Sequence, residues 1–476
     1  MWADLAIILH AVAALAVSAR VLMRPRLEPP VRLAWLLVIV VLPLAGILGY
    51  LLFGEIRLRR GYLQTRRHVR DRLGGRWRRG GHDLLDPLPD HAEPVIRCGR
   101  AVGGFPAVAG NELHLLPEDD SALDAIAAEI DAARDHVHLL FYIWLPDRSG
   151  TRIADAAIRA AERGVTVRVI VDAVGSRLLV RSAQWGRMRA AGVACHAAYP
   201  VVYPLLQVLF QRLDLRNHRK IVVVDNAVAF TGSRNCADMA FAIKPRFAPW
   251  IDILVRIEGP VVRQMQTAFL ADWMSYTGQD LGHMMDGTPS SVEGSAIAQV
   301  IATGPDHRQA SMSDTITTLI HSARHHLTIT TPYYVPQAPL DSAIRTVARR
   351  GVRVTLILPE RNDSLFVKAT SEGLWHGLLL AGVEMRLFQP GLIHSKIITV
   401  DGRMAMLGSA NLDRRSFELN YELNLVVVDD ALTAELDERQ RSYVARSRPL
   451  TLAEVRRWPW WRRLRNNILA LAAPLL

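Results

Sequence analysis

Lysine is nearly absent from this chain. Of 476 residues, 57 are Lys or Arg, and only four of these are lysines: Lys220, Lys244, Lys368 and Lys396. Cysteine is scarce too. Cys98, Cys195 and Cys236 are odd in number and widely separated, which excludes a disulfide framework and provides no zinc-ligand spacing. Acidic residues fall short of basic ones, 46 against 57, for a net charge of +11. Such a balance calls for an anionic partner, either nucleic acid or an acidic membrane. Half of the residues are hydrophobic, which is high for a purely soluble protein and favours the membrane. The length accommodates two or three core-forming units.

Two of the four lysines lie in a repeated motif. His218-Arg-Lys220-Ile-Val-Val-Val-Asp225 leads to Gly232-Ser233-Arg-Asn235, and His394-Ser-Lys396-Ile-Ile-Thr-Val-Asp401 leads to Gly408-Ser409-Ala-Asn411. Both copies read H-x-K-x4-D-x6-G-S-x-N. A single H-x-K-x4-D is expected by chance in under about one in a hundred chains of this composition, so two with matching downstream motifs are no accident.

On a strand, the His and Lys of H-x-K share one face. A neutral imidazole serves as nucleophile or base and an imidazolium as acid, while an ammonium two residues on is a compact charge for a phosphate oxygen. Ser and Asn after a glycine turn add neutral donors. Two copies face to face surround one phosphate with two of each residue. One His attacks phosphorus, the other protonates the leaving oxygen, and the roles reverse in a second half-reaction. The lysines supply the neutralisation that a metal would otherwise provide, so no metal and no cofactor is expected. Asp225 and Asp401 complete the catalytic signature, but their odd offset from the histidine puts them on the opposite strand face, in a supporting role. A catalytic His needs a carboxylate or carbonyl to fix its tautomer. Asp252 and Glu422, each a short distance after its Gly-Ser-x-Asn and entering a β-rich run, are the candidates.

These motifs resemble the phospholipase D superfamily and, within it, the bacterial cardiolipin synthases. The resemblance covers nearly the whole chain, including Arg256-Ile-Glu-Gly-Pro260 after the first motif, Asn411-Leu-Asp-Arg-Arg-Ser416 in the second, and a hydrophobic amino-terminal pair of segments. It implies that His218 is the nucleophile forming a phosphohistidine and His394 the general acid and later base. Lys220, Lys396, Ser233, Ser409, Asn235 and Asn411 would hold the phosphate, and Asp252 and Glu422 would support the histidines. It further implies a phosphatidyltransferase of the bacterial inner membrane that makes cardiolipin from two phosphatidylglycerol molecules. A phospholipase D hydrolase would use the same residues with water as acceptor. A membrane-tethered nuclease would explain the basic charge but not the apolar segments, so nucleic acid is not the expected partner.

From the amino terminus, Met1–Met23 is apolar apart from Asp4, His10 and Arg20, and Leu33–Phe53 carries no charge. At about 1.5 Å per residue the second segment is long enough to cross a bilayer, with Pro43 and Gly46 as tolerated kinks. The first lacks the basic start and cleavage site of a signal peptide. The expectation over 1–54 is therefore a transmembrane helical hairpin, and the Arg-rich stretch beyond it places the catalytic part in the cytoplasm. A basic juxtamembrane linker over 55–100 would lie on anionic headgroups. Then come two phospholipase D-like α/β halves, 101–290 and 291–450, related by a pseudo-twofold. Each alternates strands and helices in one order: His136–Leu145, Val165–Val174 and Val193–Ala198 answer to His325–Val335, Val352–Leu358 and Val383–Phe388. An apolar insertion, Tyr199–Phe210, precedes the first motif, as an acyl-chain wall, a membrane-dipping loop or a buried helix. Tyr333 and Tyr334 either line the cleft or pack in the core. The tail over 451–476, with Arg456-Arg-Trp-Pro-Trp-Trp-Arg-Arg, suits a headgroup interface or packing on the catalytic body.

Overall fold

The computed structural model describes residues 2–471 apart from 25–26, 28, 43, 56–57, 59, 80–87, 202–211, 213, 287–291 and 307–310. Most of the apolar insertion therefore lies outside the described residues. Four helices come first: α1 (Trp2–Leu22), α2 (Pro29–Val41), α3 (Ala45–Phe53) and α4 (Arg60–Arg79). The uncharged segment expected as one span is thus two helices. Leu44 adopts a left-handed φ of 60°, and α3 folds back on α2. A Cβ at Gly46 would lie 2.3 Å from the Val38 carbonyl oxygen, so only glycine admits this approach. The Trp35 and Tyr50 rings meet edge to face at 5.4 Å. Glu55, past the end of α3, binds Arg20 and Arg24, each at 2.6 Å. Both ends of the apolar segment therefore lie close together, and the expected two-span hairpin is not borne out. Among the described residues, no helix is long and apolar enough to cross a membrane.

The stretch expected as a juxtamembrane linker includes two helices. Helix α4 docks on the catalytic body, and α5 (Glu93–Gly103) buries Val95 and Ile96 in the second half's core.

The first half contains β1 (Val108–Leu115), α6 (Ala122–Ala132), β2 (His136–Phe141), α7 (Arg148–Glu162), β3 (Thr166–Asp172), α8 (Arg177–Val180), α9 (Ala183–Ala190) and β4 (Ala194–Ala198). It continues through β5 (Arg216–Asn217), β6 (Ile221–Val224), β7 (Val228–Gly232), β8 (Trp250–Ile251) and β9 (Leu254–Glu258). The second half supplies β10 (Ala296–Thr303), β11 (His326–Thr330), β12 (Tyr334–Val335), β13 (Arg353–Pro359) and β14 (Glu384–Phe388). It ends with β15 (Leu392–Ile393), β16 (Ile397–Val400), β17 (Met404–Gly408), β18 (Leu412–Asp413), β19 (Asn420–Val428) and β20 (Ser447–Leu450).

One continuous sheet runs through both halves in the order β20-β14-β13-β11-β16-β17-β19-β10-β1-β9-β7-β6-β2-β3-β4. The antiparallel β1–β10 pair is the seam. On either side of it the strand order mirrors the other, the arrangement a duplicated α/β unit produces when its two copies share a sheet. Helices cover the faces, because the parallel strands β2–β3–β4 and β11–β13–β14 are joined by crossover helices. Two short pairings cross between the halves in parallel: β5 with the start of β19, and β8 with β15. They position the site.

Candidate functional site

Each motif histidine follows a cross-half pairing directly. The chain leaves β5, passes through His218-Arg219-Lys220 and only then enters β6. The triplet is therefore not a ladder-paired strand, as expected, but the link where the chain passes from the opposite half's strand to its own sheet. The His218 N–H donates to the Tyr421 carbonyl at 2.9 Å, and the His394 N–H to the Ile251 carbonyl at 2.7 Å. The residues after Tyr421 and Ile251 are Glu422 and Asp252. His218 Nδ1 thus lies 2.9 Å from Glu422 Oε2, and His394 Nδ1 lies 2.7 Å from Asp252 Oδ1. Each histidine is supported by the carboxylate of the other half. Because a carboxylate only accepts, Nδ1 carries the hydrogen and Nε2 presents a lone pair.

The glycines of Gly-Ser-x-Asn have a steric reason. Gly232 and Gly408 have φ of 155° and 154°, and a Cβ would lie 2.3 Å from the Ile253 carbonyl oxygen or 2.4 Å from that of Leu423. That approach lets Ser233 donate its hydroxyl to Asp252 and Ser409 donate to Glu422. The serines, expected as phosphate donors, here hold the carboxylates that hold the histidines. Asp225 and Asp401 bind backbone rather than a histidine. Each accepts three backbone N–H bonds at 2.8–2.9 Å, from residues 134–136 and 324–326 respectively. They fasten the strand ends away from the histidines.

Both histidines line one cleft of about 340 Å³ between the halves, with Asn235, Asn411, Tyr142, Trp250 and Tyr333 in its wall. Lys220 and Lys396 lie fully buried against it, each donating to its own histidine's carbonyl. Burial pushes His218 down to about 4, with Lys220 acting the same way and Glu422 opposing; His394 is lowered for the same reason, with Asp252 opposing. Burial likewise depresses Lys220 to about 8 and Lys396 to about 7. Burial alone would raise Glu422, but His218, Lys220 and Ser409 hold it at about 2. The arrangement therefore offers two neutral, oriented imidazoles with two buried lysines beside them.

Sequence reasoning missed several neighbours. The Tyr142 ring meets His218 edge-on at 4.7 Å and lies 5.6 Å from Lys220 Nζ; Trp250 packs 4.8 Å from His394. Lys244 bonds Asp363 across the cleft, and Tyr333 donates to the same carboxylate at 2.7 Å. Lysine scarcity is the signal that could have found Lys244. Of the tyrosine pair, Tyr333 lines the cleft while Tyr334 is buried and donates to Asp341.

A family model described as cardiolipin synthase, PLD-like domain, matches residues 126–273 and 316–443. A second, described as phospholipase D-nuclease N-terminal, matches residues 12–55. The chain is 36% identical over 468 residues to cardiolipin synthase A of Edwardsiella ictaluri, covering 97% of this chain and 96% of that one. It is 37% identical over 472 residues to cardiolipin synthase A of Serratia proteamaculans, with the same coverage, 97% and 96%. Among solved structures it is similar to phosphatidylserine synthase of Haemophilus influenzae, with a TM-score of 0.59 at 16% identity over 80% of this chain and 100% of that one, a likeness of fold. With its two motifs in one cleft and relatives matched along nearly its entire length, the chain belongs to the phospholipase D-like cardiolipin synthase family.

Proposed function

We propose that the protein is a membrane-associated phosphatidyltransferase that forms cardiolipin from two phosphatidylglycerol molecules and releases glycerol. The carrying observation is the pair of histidines, each fixed by the opposite half's carboxylate, over two buried lysines in one cleft. His218 Nε2 attacks the phosphorus of one phosphatidylglycerol. The bond from phosphorus to the glycerol headgroup breaks, and His394, which must enter this step as the imidazolium with Nδ1–H held by Asp252, gives its Nε2 proton to the departing oxygen. A hydroxyl of the second phosphatidylglycerol then loses its proton to His394 and attacks the phosphohistidine, so that the P–N bond breaks and cardiolipin leaves. Lys220 and Lys396 neutralise the phosphoryl oxygens, Asn235 and Asn411 donate from the wall, and Ser233 and Ser409 keep the supporting carboxylates in place. One phosphodiester is exchanged for another, so nothing in the balance calls for a nucleotide.

The membrane reading rests on the exposed apolar faces of α1–α3 and of the carboxy-terminal helix Trp460–Leu471. That helix docks by its polar side: Asn466, 2% exposed, donates to Glu372, which also takes a paired bond from Arg462. Trp460 and Leu471, 70% and 79% exposed, lie on its outward side with Trp461, Leu464 and Ile468. An amphipathic helix with its apolar face outward, flanked by arginines, suits an anionic headgroup layer. At the amino terminus, α2 and α3 enter and leave from one side, so a re-entrant insertion replaces the second span. It places Arg24 and Arg32 together at the end from which the chain runs on to the catalytic body, and the positive-inside rule assigns that side to the cytoplasm.

The test is incubation of purified protein with labelled phosphatidylglycerol, without nucleotide and with metals chelated. Cardiolipin plus glycerol supports transfer to a lipid acceptor. Phosphatidic acid alone makes water the acceptor and overturns the transferase reading, and absence of lipid turnover overturns both.

A further inference from the structure

Helix α4 lies outside both family models, whose matches leave residues 56–125 uncovered, yet it reaches the back of the catalytic site. Arg66 is 5% exposed. Its Nη1 donates to Asp272 at 2.6 Å and to the Ala271 carbonyl at 3.2 Å, and its Nε donates to Asp306 at 3.3 Å. Asp272 is the centre of the cluster: it also accepts both bonds from Arg219 Nη1 at 2.9 Å and one from Asn217 at 2.8 Å. Asn217 and Arg219 flank His218 in the chain. Arg219 donates further to the carbonyl of Glu422 at 3.2 Å, and Glu422 is the carboxylate that holds His218. The Arg66 guanidinium also lies 4.7 Å from the ring centre of Tyr421, the residue before Glu422 whose carbonyl takes the His218 N–H. Two of the routes from Arg66, through Asp272 and over Tyr421, lead within one or two residues to the His218–Glu422 pair.

Among the described residues, the second motif has no such cluster. Where the first has Arg219 the second has Ser395, which bonds the Ile251 carbonyl and the Tyr443 hydroxyl. The charge network therefore supports one histidine of two.

We propose that Arg66 is a positioning residue for the His218–Glu422 pair, and that α4 is a strut tying the amino-terminal apolar segment to that half of the active site. A guanidinium is required because the position calls for a planar group that reaches two carboxylates while lying over an aromatic face. Without it, Asp272 keeps Arg219 and Asn217 as its only side-chain partners among these contacts. The segment carrying Asn217, His218 and Arg219, which has no ladder pairing beyond β5, then loses part of its backing. Substrate does not touch Arg66, so the effect falls on turnover rather than on substrate affinity.

The inference rests on the phosphatidyltransferase reading, and the experiment separates the two. The full chain, in detergent with a short-chain soluble phosphatidylglycerol, is compared as wild type, His218→Ala, Arg66→Met, Arg66→Lys and Arg66→Ala. Removing groups that orient a reactive histidine costs about tenfold to a hundredfold. The expected result for Arg66→Met is a kcat lower by about that factor with KM little changed. Arg66→Lys recovers part of the loss, and added guanidinium ion recovers part of the kcat of Arg66→Ala. Wild-type kcat in Arg66→Met beside an inactive His218→Ala overturns the strut and leaves the reaction standing. Wild-type activity in His218→Ala overturns the reading beneath it. A parallel rise in KM, or the absence of guanidinium rescue in a folded Arg66→Ala, assigns Arg66 a merely structural role and also overturns the proposal. If the Arg66 variants fail to fold, Asp306→Asn, which loosens Arg66 without touching the His218 strand, replaces them, and an unchanged kcat there counts against the proposal.

Discussion

The residue-scale feature with the most consequence is the exchange of carboxylates between the motifs. Glu422 stands closer in sequence to His394 than to His218, yet it bonds His218. Glu422→Gln is therefore expected to change the imidazole nitrogen shifts of His218 and to leave those of His394 in place, and Asp252→Asn the reverse. Both lower kcat by up to about 10⁴-fold, the cost of losing the carboxylate that fixes a catalytic imidazole's tautomer. A Glu422→Gln spectrum in which His394 moves and His218 does not would overturn the crossed assignment. The buried lysines give a second prediction. Lys396 is depressed to about 7 and Lys220 to about 8, so each is charged below its value and neutral above it. A phosphodiester binds the charged form, and so the binding of a deacylated phosphodiester such as glycerophosphoglycerol, monoanionic throughout the range, weakens as pH rises from 6 to 9. Titration calorimetry across that range checks it; flat affinity would mean that the lysines keep their charge in the resting site.

Among elements, what was legible in the sequence and what was not divides along a physical line. The strands and helices of both halves fall where alternating apolar runs and amphipathic stretches put them, because a buried parallel sheet imposes that pattern on every strand. The motif residues were legible because their spacing is repeated. The turn of α2 into α3 was not, because a run without charges looks the same whether it crosses a bilayer or doubles back. Gly46 and Pro43 were visible, but their effect depends on whether α3 finds a surface to pack on, and Trp35 and Val38 provide it. Helix α4 was misread for a related reason: twelve of its twenty residues read as charged or polar surface, and nothing local reveals that Arg66 has two aspartates waiting for it more than 200 residues away. The fold-back makes a prediction of its own. In cells, a cysteine placed at Leu27, between α1 and α2, is expected to be shielded from a membrane-impermeant maleimide added outside, as is one placed at Leu58, because Arg24 and Glu55 share a side. Labelling of the Leu27 position alone would restore the two-span hairpin.

For the whole molecule, the decisive fact is that the two halves are not two domains resting side by side. The sheet is continuous across the β1–β10 seam, and β5 and β8 are each hydrogen-bonded to a strand of the opposite half. No part of that could be read from the repeat itself, since a duplicated sequence is equally compatible with two separate domains; it follows from which edges the two sheets leave open. A shared sheet and crossed carboxylates mean that the first half cannot keep its active-site geometry once the second loosens. The body should therefore unfold as one cooperative unit rather than half by half. Leu423, fully buried on β19 beside Glu422, is the place to test this, since a Leu→Ala change in a core costs about 2–5 kcal/mol. In Leu423→Ala, hydrogen exchange of the β2 and β3 amides, which lie in the other half and far along the sheet, is expected to accelerate in step with that of β17 and β19 under conditions where exchange reports global opening. If the first-half strands keep wild-type protection while β17 and β19 lose theirs, the halves are thermodynamically independent. The active site would then be a contact between two domains rather than a product of one fold.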